Sequence, residues 1–421
     1  MICAKESVRL NKIEVEKNII KYKFSVSCGL SKYFNTNEMF VEYQEDIDLN
    51  DIPESILVIP FVSSVLPLMW LTDSIMWIKS IDKTFYRSLK RVKDSYQEIY
   101  DYYPLKGSLI SANFEINNLK KERESLVLFS GGLDAQTTYL RHKDENPLLF
   151  NIQGWYKINT SEKSVVADKD IKDITVFSER EKLDFLYAKS NFATLINVKY
   201  FKRKIEKKLK DNWWHGFQHS MSFISISIPL CFKYGIEKIY IASSFALGDE
   251  GRCASYPTTD GEFEFANFGY VIHDGFELTR QEKVSFIVQH QKKINKEYLL
   301  KVCTFNEENC LRCEKCIRTI LGIIAENGDL KKFGFNINGS VLEHFKDVFE
   351  KDIIYFDVAG ENQKHWVHIK QKMKDNYPYI SHKDVVDWFL STDLVNKRKK
   401  KVFEYRRKNF FNLLIKKIKR K

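Results

Sequence analysis

Four cysteines cluster in the second half of the chain, and their type and spacing suit a metal ion. They are Cys303, Cys310, Cys313 and Cys316. Four thiolates this close together can converge on one tetrahedral zinc ion when a tight turn and the start of a helix bring them together. Because four ligands fill the coordination shell of zinc, we expect a structural ion. An iron–sulfur cluster is the competing interpretation, but Ile320 and Leu321 stand where such a run has its next cysteine and proline.

A short segment with two glycines, in the first half of the chain, suits a phosphate group. It comprises Ser130, Gly131, Gly132, Leu133, Asp134 and Ala135. The apolar run Ser125–Phe129 precedes it and a helical pattern follows, so the glycines can bring backbone N–H groups to a phosphate at a helix N-terminus. Ser130 can donate a hydrogen bond from its hydroxyl group, and Asp134 can hold a magnesium ion that bridges pyrophosphate oxygens. No Gly-Lys-Ser/Thr sequence follows, which excludes a Walker loop.

Both segments resemble those of a known family. The sequence Ser-Gly-Gly-Leu-Asp-Ala at residues 130–135 is close to the Ser-Gly-Gly-x-Asp-Ser signature of the PP-loop ATP pyrophosphatases, with Ala135 in place of the last serine. The cysteine cluster is similar to the zinc site of the 7-cyano-7-deazaguanine synthase branch. The resemblance covers residues 123–330 and implies an adenine nucleotide alpha hydrolase-like α/β fold, in which a parallel sheet has helices on both faces. Tyr256 and Pro257 lack the Cys-Arg pair that follows them in that branch, which weakens a deazaguanine-type substrate.

The resemblance implies an ATP-dependent, AMP-forming ligase or synthase. In this family a carboxylate or amide oxygen of a small molecule, modified base, sugar or peptide end attacks the α-phosphate of ATP, and pyrophosphate leaves. Ammonia or a sulfur donor then attacks the adenylated carbon and gives an amide, nitrile or thio product. ATP, Mg²⁺ and Zn²⁺ are therefore the expected cofactors. Ser130, Asp134 and Lys283 are the expected catalytic residues.

Two serines after a later strand pattern are further candidates for nucleotide binding. Ser243 and Ser244 directly follow the apolar run Ile239–Ala242. Ligands in parallel α/β sheets bind beyond the carboxyl ends of the strands. We therefore predict that both serines contact the nucleotide, with a simple polar turn as the alternative.

A helix start further along the chain supplies two candidate cations. Thr279 and Glu282 have the spacing of a capping box, which predicts that a helix begins at this point. Arg280 and Lys283 in its first turn could reach pyrophosphate. The alternative is a capped surface helix.

Two other functions remain open. A tRNA-modifying PP-loop enzyme would bind RNA, and its sulfur-transfer members usually need a reactive cysteine. Cys231 and Cys253 are the remaining candidates in the core, and neither belongs to a recognisable pair. Because Ala135 removes a hydroxyl group, a degenerate, non-catalytic nucleotide-binding protein is the alternative from another class.

His215 and His219 are one helical turn apart and could act in catalysis, but histidines of the core or surface are the more frequent case.

Hydrophobic patterns predict the elements that position these residues. Apolar runs at Ser125–Phe129, Leu148–Ile152, Leu195–Val198 and Ile239–Ala242 predict strands. Helical patterns separate them, as at Ser220–Tyr234. Strands that alternate with helices favour a parallel sheet covered on both faces.

An N-terminal α+β domain is expected before this core, over residues 1–122. Asn18–Ser27 and Met39–Tyr43 alternate in the manner of paired strands, and the apolar run Ile56–Val65 is β-rich. Phe85–Tyr102 predicts a charged, aromatic helix. No catalytic motif falls in this part of the chain.

The remaining residues divide into a PP-loop domain, 123–330, and a helical C-terminal region, 331–421. The net charge of +11 comes from a basic tail, residues 397–421, which contains thirteen Lys or Arg and a single acid. The rest of the chain is nearly neutral. The tail could bind an anionic membrane surface or RNA, or it could be a solvated terminus.

The composition is that of a globular protein, with 44% hydrophobic and 29% charged residues. No apolar run is long enough to span a bilayer, and the first residues show no signal-peptide pattern. We therefore expect a cytoplasmic protein, peripheral to the inner face of the membrane where the tail binds lipid. A small-molecule acid or amide is the expected substrate, and a homodimer is a further expectation.

Overall fold

Strands and helices alternate along most of the chain. A computed structural model describes residues 5–155, 161–249, 251–303, 306 and 308–418. Within these ranges the strands are β1 (Ser7–Glu16), β2 (Ile19–Val26), β3 (Glu38–Tyr43), β4 (Ile75–Asp82), β5 (Ser108–Glu115), β6 (Arg123–Leu128), β7 (Leu148–Gln153), β8 (Phe185–Ser190), β9 (Ile236–Ala242), β10 (Glu264–Phe265) and β11 (Gly269–Asp274).

The α-helices of the same residues lie between and after these strands. They are α1 (Glu54–Leu57), α2 (Ile59–Thr72), α3 (Lys83–Ile99), α4 (Leu133–His142), α5 (Ser161–Glu181), α6 (Phe192–Leu195), α7 (Val198–Phe201), α8 (Lys207–Leu209), α9 (His219–Lys233), α10 (Pro257–Asp260), α11 (Arg280–Ile294), α12 (Glu314–Ala325), α13 (Val341–Lys351), α14 (Gln363–Asp375), α15 (Lys383–Ser391) and α16 (Leu394–Ile418). Two π-helical segments, Lys202–Glu206 and Trp214–Gln218, interrupt the run from α7 to α9.

The strands of the described residues form one sheet, in the order β10-β11-β9-β6-β7-β8-β3-β2-β1-β4-β5. Strands β11, β9, β6, β7 and β8 are parallel to one another. Every residue of β7 is buried, which is typical of a parallel strand covered on both faces. Strands β3, β2 and β1 continue the sheet in antiparallel pairs, and β4 and β5 add parallel pairs. The structure therefore confirms an α/β protein with a large, mostly parallel mixed sheet.

The N-terminal strand predictions are confirmed, but one element has the wrong type. Strands β2 and β3 pair as expected, with Ile20 opposite Val41. The β-rich run Ile56–Val65 is instead helical and belongs to α1 and α2. All residues of α2 from Ile59 to Leu71 are buried. Because such a helix is apolar on every side, its sequence lacks the amphipathic period that distinguishes a helix from a buried strand.

The strand predicted at Leu195–Val198 is also wrong. The strand next to β7 is β8, which lies ten residues earlier in the chain and pairs Phe150 with Leu186. Leu195 ends the short helix α6. Asn197 then caps α7, because its side-chain oxygen accepts a hydrogen bond from the backbone N–H of Tyr200 at 3.1 Å. The capping asparagine therefore starts a helix where apolar composition favoured a strand.

The chain forms two units. The first comprises the residues up to Ser130 together with Asp134–Ser244 and Arg252–Phe276. The second comprises Gly131–Leu133, Phe245–Gly251 and the residues from Glu277 onward. The division into three domains at residues 122 and 330 stays a prediction, although strands from both sides of residue 122 share the sheet of the first unit.

The second unit is helical after residue 331, as expected. Phe349, Trp366 and Phe389 pack together in its core, and the ring centroids of Phe349 and Trp366 are 6.0 Å apart. Helix α16 includes the first part of the basic tail, where Lys397 lies 3.7 Å from Glu350. Residues 419–421 of the tail lie outside the described residues. Among the helices described here, none is apolar over a sufficient length to cross a membrane.

Candidate functional site

The four clustered cysteines come together in the second unit. Their sulfur atoms all lie within 4.8 Å of one another, and Cys310 Sγ is 3.9 Å from Cys316 Sγ. Sulfur atoms that bind a tetrahedral zinc ion are separated by about 3.8 Å, because each Zn–S bond is about 2.3 Å long. Cys303 and Cys316 are buried, whereas Cys310 and Cys313 are half-buried. This group could therefore bind a metal such as zinc.

A tight turn and a helix start bring three of the cysteines together. Leu311 adopts a φ of 57°, which turns the chain between Cys310 and Cys313. The carbonyl oxygen of Leu311 accepts a hydrogen bond from His344 Nε2 at 2.8 Å, which ties the turn to α13. Cys313 precedes the first residue of α12, so Cys316 lies in the first turn of that helix. The backbone N–H of Cys313 also donates to Cys310 Sγ at 3.2 Å.

The fourth cysteine is positioned by an asparagine side chain. Asn309 Oδ1 accepts hydrogen bonds from the backbone N–H groups of Val302 and Cys303 at 3.0 and 3.2 Å. Asn309 Nδ2 donates to the carbonyl oxygen of Leu300 at 2.7 Å. One side chain therefore fixes the segment that precedes the turn, which is the role that outer-shell residues have at metal sites.

The cysteines affect one another's ionisation. Hydrogen bonds from Cys313 and Cys316 lower the pKa of Cys310 well below its usual range. The same contact raises the pKa of Cys313 to about 11, and the pKa of Cys316 rises because of both neighbours and burial. Adjacent thiolates repel each other, so a divalent cation would displace protons as it binds. The N-terminus of α12 adds favourable potential for the thiolates.

The predicted phosphate segment directly follows β6 in the chain; its residues Ser130, Asp134 and Ala135 belong to the first unit and Gly131–Leu133 to the second. Strand β6 has β7 on one side and β9 on the other, so the strand order reverses at this strand. In open parallel sheets, ligands bind in the crevice beyond the carboxyl ends of the strands at such a reversal. The end of β6 is fixed by Phe129, whose N–H donates to the carbonyl oxygen of Phe150 at 2.8 Å. Ser130, the next residue, is exposed.

The turn and helix that follow have the geometry predicted for them. Gly131 has a φ of 71°, which an L-residue with a side chain adopts only with strain. Helix α4 begins at Leu133, so Asp134 lies in its first turn. Ala135, which replaces the serine of the family signature, is buried with 4% of its surface exposed.

Helix α4 is tied to the end of β11 by a buried carboxylate. Asp274 accepts hydrogen bonds from Thr138 Oγ1 at 2.8 Å and from Arg141 Nε at 3.2 Å. His142 Nε2 lies 2.9 Å from the same carboxylate, and its ring stacks on Tyr240 of β9. These contacts fix the orientation of the helix relative to the sheet.

The two predicted serines lie at the same sheet edge as Ser130. Val127 of β6 is opposite Tyr240 of the parallel strand β9, and Ser130 and Ser243 each lie three residues further along the chain, beyond the carboxyl ends of these strands. Ser243 is buried, and its N–H donates to the carbonyl oxygen of Asp274 at 2.8 Å. Ser244 is exposed. The structure thus brings Ser130, Ser243 and Ser244 to one edge of the first unit.

Arg280 and Lys283 belong to α11 in the second unit. The predicted capping box of this helix is present, because Thr279 Oγ1 accepts from the N–H of Glu282 at 3.2 Å. Arg280 Nη2 lies 3.5 Å from Thr319 Oγ1, and Lys283 is buried. Their predicted contact with pyrophosphate stays a prediction.

One group of reactive side chains was not identified from the sequence. Cys253 lies 3.7 Å from His219 Nε2, although the two residues are 34 positions apart. The spacing of His215 and His219 indicated a shared helical face, but no local pattern linked either of them to Cys253. Only the tertiary fold brings these side chains together.

Comparisons with protein-family models, with curated proteins and with solved structures find no match to this chain. The fold and the cysteine group together define an α/β protein with a mostly parallel mixed sheet and a site that could hold a metal such as zinc.

Proposed function

We propose that this protein is a PP-loop ATP pyrophosphatase, which attaches AMP to a carboxylate or amide oxygen of its substrate. The observation that carries the proposal is the turn after β6. This turn contains Gly131, leads into the helix that bears Asp134, and lies where the strand order of the sheet reverses. Ser243 and Ser244 end the neighbouring strand at the same edge.

The residues of the turn are suited to the departure of pyrophosphate. Backbone N–H groups at the start of α4 point toward an anion in front of the helix, and the hydroxyl group of Ser130 adds a donor. Mg²⁺, when bound, would neutralise charge on the phosphates. Asp134 would hold this ion. The ion would also offset the repulsion between the carboxylate of Asp134 and the phosphate groups. Positioning and charge stabilisation account for most of the catalysis in such a site.

The cysteine group has a structural role in this proposal. Four sulfur ligands leave no open coordination position on zinc, so the ion would brace the loop before α12. The substrate is then an acid or amide of unidentified class, and ammonia or a sulfur donor completes the reaction.

Nucleotide binding tests the proposal directly. We expect calorimetry with the non-hydrolysable analogue α,β-methylene-ATP to detect Mg²⁺-dependent binding. Asp134→Ala should weaken this binding at least tenfold, because hydrogen bonds and contacts to a charged group contribute about 1.5–3 kcal/mol. Asp144→Ala, at an exposed acid just beyond α4, is the matched control. Equal binding by the wild type and Asp134→Ala would refute the assignment of this site.

Pyrophosphate release separates an enzyme from a binding protein. The assay would supply Mg-ATP, ammonium and a panel of carboxylic acids. Stimulated release that is lost in Asp134→Ala supports the adenylating enzyme. Because Ala135 is buried at the position of the signature serine, a non-catalytic nucleotide-binding protein is the second candidate. Binding without release under every condition would favour that alternative.

A further inference from the structure

Cys253 and two histidines form a compact group in the first unit. Cys253 is 4% exposed, and its sulfur lies 3.7 Å from His219 Nε2. His215 lies one helical turn before His219, and the ring centroids of the two histidines are 6.4 Å apart. His215 lies in the π-helical segment Trp214–Gln218, and α9 begins at His219. Such segments insert an extra residue into a helical turn and occur frequently at functional sites.

Each histidine is oriented by a hydrogen bond. His215 Nδ1 lies 3.0 Å from Asp211 Oδ1, and Tyr100 donates its hydroxyl hydrogen to Asp211 Oδ2 at 2.8 Å. His219 Nδ1 lies 3.0 Å from the carbonyl oxygen of Trp214, an acceptor, so this nitrogen carries the proton. The Nε2 atom of His219 therefore faces the sulfur. A thiol beside a histidine whose other ring nitrogen is held by a hydrogen bond is a recurrent catalytic arrangement.

The charges around Cys253 favour its thiolate. Burial raises the pKa of Cys253, but its interactions with His215 and His219 outweigh this effect and lower the pKa to about 6. The hydrogen bond with Asp211 raises the pKa of His215 to about 10. The other titratable or charged groups near the cluster are Tyr96, Tyr100, Arg252 and Asp260.

The environment of Cys253 differs from that of a second buried cysteine. Cys231 is fully buried, and desolvation alone raises its pKa well above the usual value. An inert core thiol is expected to behave in this way. The metal alternative is disfavoured as well, because in the part of the chain that the structure describes only the four clustered cysteines meet the distances of a metal-binding group.

We propose that Cys253 is a nucleophile that accepts an acyl group from an activated carboxyl group. The proposal rests on the proposed adenylation for the source of that acyl group. The thiolate of Cys253 attacks the carbonyl carbon of the acyl adenylate, a C–S bond forms, and the C–O bond to AMP breaks. AMP leaves with the electron pair of that bond, and the product is a thioester. An amine then attacks the carbonyl carbon of the thioester and a C–N bond forms, His219 takes the proton of the amine, and the C–S bond breaks as the thiolate leaves.

The carboxylate that holds His215 lies beside a surface hollow. Asp211 lines this hollow of about 450 Å³ together with Glu206, Asn212 and three lysines: Lys202, Lys207 and Lys210.

Acetylation by p-nitrophenyl acetate tests the nucleophile without ATP or the natural substrate. The full-length protein is treated with this activated ester in the presence of N-acetylcysteine, and peptide mass spectrometry measures acetylation of Cys253. When the pH falls from 8 to 5.5, a thiol of pKa about 6 keeps more of its thiolate than an ordinary thiol of pKa about 8.5. The ratio of the two thiolate fractions rises by about sixty-fold. We expect the acetylation rate of Cys253, divided by that of N-acetylcysteine, to rise by this factor. The factor does not depend on how easily the reagent reaches the buried sulfur.

Variants identify the groups that activate the thiol. His215→Gln should reduce acetylation of Cys253 at pH 5.5 at least tenfold, whereas Cys231→Ala should leave it unchanged. A rate ratio that is independent of pH, or the absence of acetylation at Cys253 at every pH, would overturn the proposal. Cys253→Ala should still bind α,β-methylene-ATP. The two proposals therefore fail in different assays. If Cys253 is not a nucleophile, the acetylation assay shows it. If the adenylation site is wrong, the wild type does not bind the nucleotide.

Discussion

Asp274→Asn is expected to loosen the helix that carries the candidate phosphate site. Asp274 has 5% of its side chain exposed and accepts hydrogen bonds from Thr138, Arg141 and His142. Asparagine has nearly the same shape, but its NH₂ group would face these donors, and the charge would be lost. Hydrogen bonds to a buried charge contribute about 1.5–3 kcal/mol each, and Arg141 and His142 are partly exposed, so we expect a loss of about 2–4 kcal/mol in the free energy of unfolding.

Urea unfolding followed by circular dichroism measures this loss. Asp144→Asn is the control, because Asp144 is an exposed acid just after the same helix and should change stability by less than about 0.5 kcal/mol. Binding of α,β-methylene-ATP should also weaken in Asp274→Asn, since the first turn of α4 would lose its fixed orientation. If Asp274→Asn unfolds at the same urea concentration as the wild type, the carboxylate does not hold the helix and the reasoning is refuted.

The stability difference between the wild type and Asp274→Asn should change with pH in a definite direction. Burial raises the pKa of Asp274, but hydrogen bonds from His142 and Thr138 and the charge of Arg141 lower it below its usual value overall. A carboxylate with a lowered folded-state pKa stabilises the fold fully above its unfolded-state pKa of about 3.9. The contribution is lost as the pH falls through the folded-state value. The wild type should therefore exceed Asp274→Asn in stability at neutral pH, and the difference should shrink below about pH 4.

Four further predictions test other parts of the structure. Cys310→Ser should remove bound zinc, measured by plasma mass spectrometry on purified protein, whereas the exposed Cys28→Ser should retain it; zinc in both or in neither would contradict the ligand assignment. Gly131→Ala and the control Gly339→Ala, with φ of 71° and 79°, should each cost about 1–2 kcal/mol in unfolding, and only Gly131→Ala should weaken nucleotide binding. Asp211→Asn should shift the pH midpoint of Cys253 acetylation upward, because the hydrogen bond with Asp211 raises the pKa of His215, and an unchanged midpoint would exclude a role for this carboxylate. Residues 123–418 expressed alone should aggregate; a soluble fragment with native circular dichroism would show an independent domain.

Local patterns in the sequence predicted the elements and sites that depend on near neighbours. The turn at Gly131 and the cysteine group both arise within a few residues of chain, so residue type and spacing predict them. Strand β7 was predicted because a fully buried parallel strand is a short, continuous apolar run. The same reasoning failed at Ile56–Val65, since a helix buried on every side gives an equally continuous run.

Local patterns did not predict contacts between residues that are far apart in the sequence. Cys253 meets His219 across 34 residues, and the segment between them contains the whole of β9. Neither residue carries a motif, and helical spacing of the two histidines alone does not reveal which side chain they face. The pairing depends on the backbone of Ala254, which donates to the carbonyl oxygen of His215 at 2.8 Å and so places Cys253 beside the π-helical segment.

The N-terminal strands complete the sheet that carries the candidate phosphate site. Strand β3 pairs with β8, where Glu42 lies opposite Lys189, and thereby covers an edge that would otherwise be exposed. Helix α2 packs against α9, and Ser64 Oγ lies 3.4 Å from Ser222 Oγ between them. Removal of residues 1–122 would expose the edge of β8 and an apolar face of α9 together. Exposed strand edges and large apolar surfaces both promote association, so we expect the N-terminal part to keep the sheet from associating even though it contains no catalytic motif.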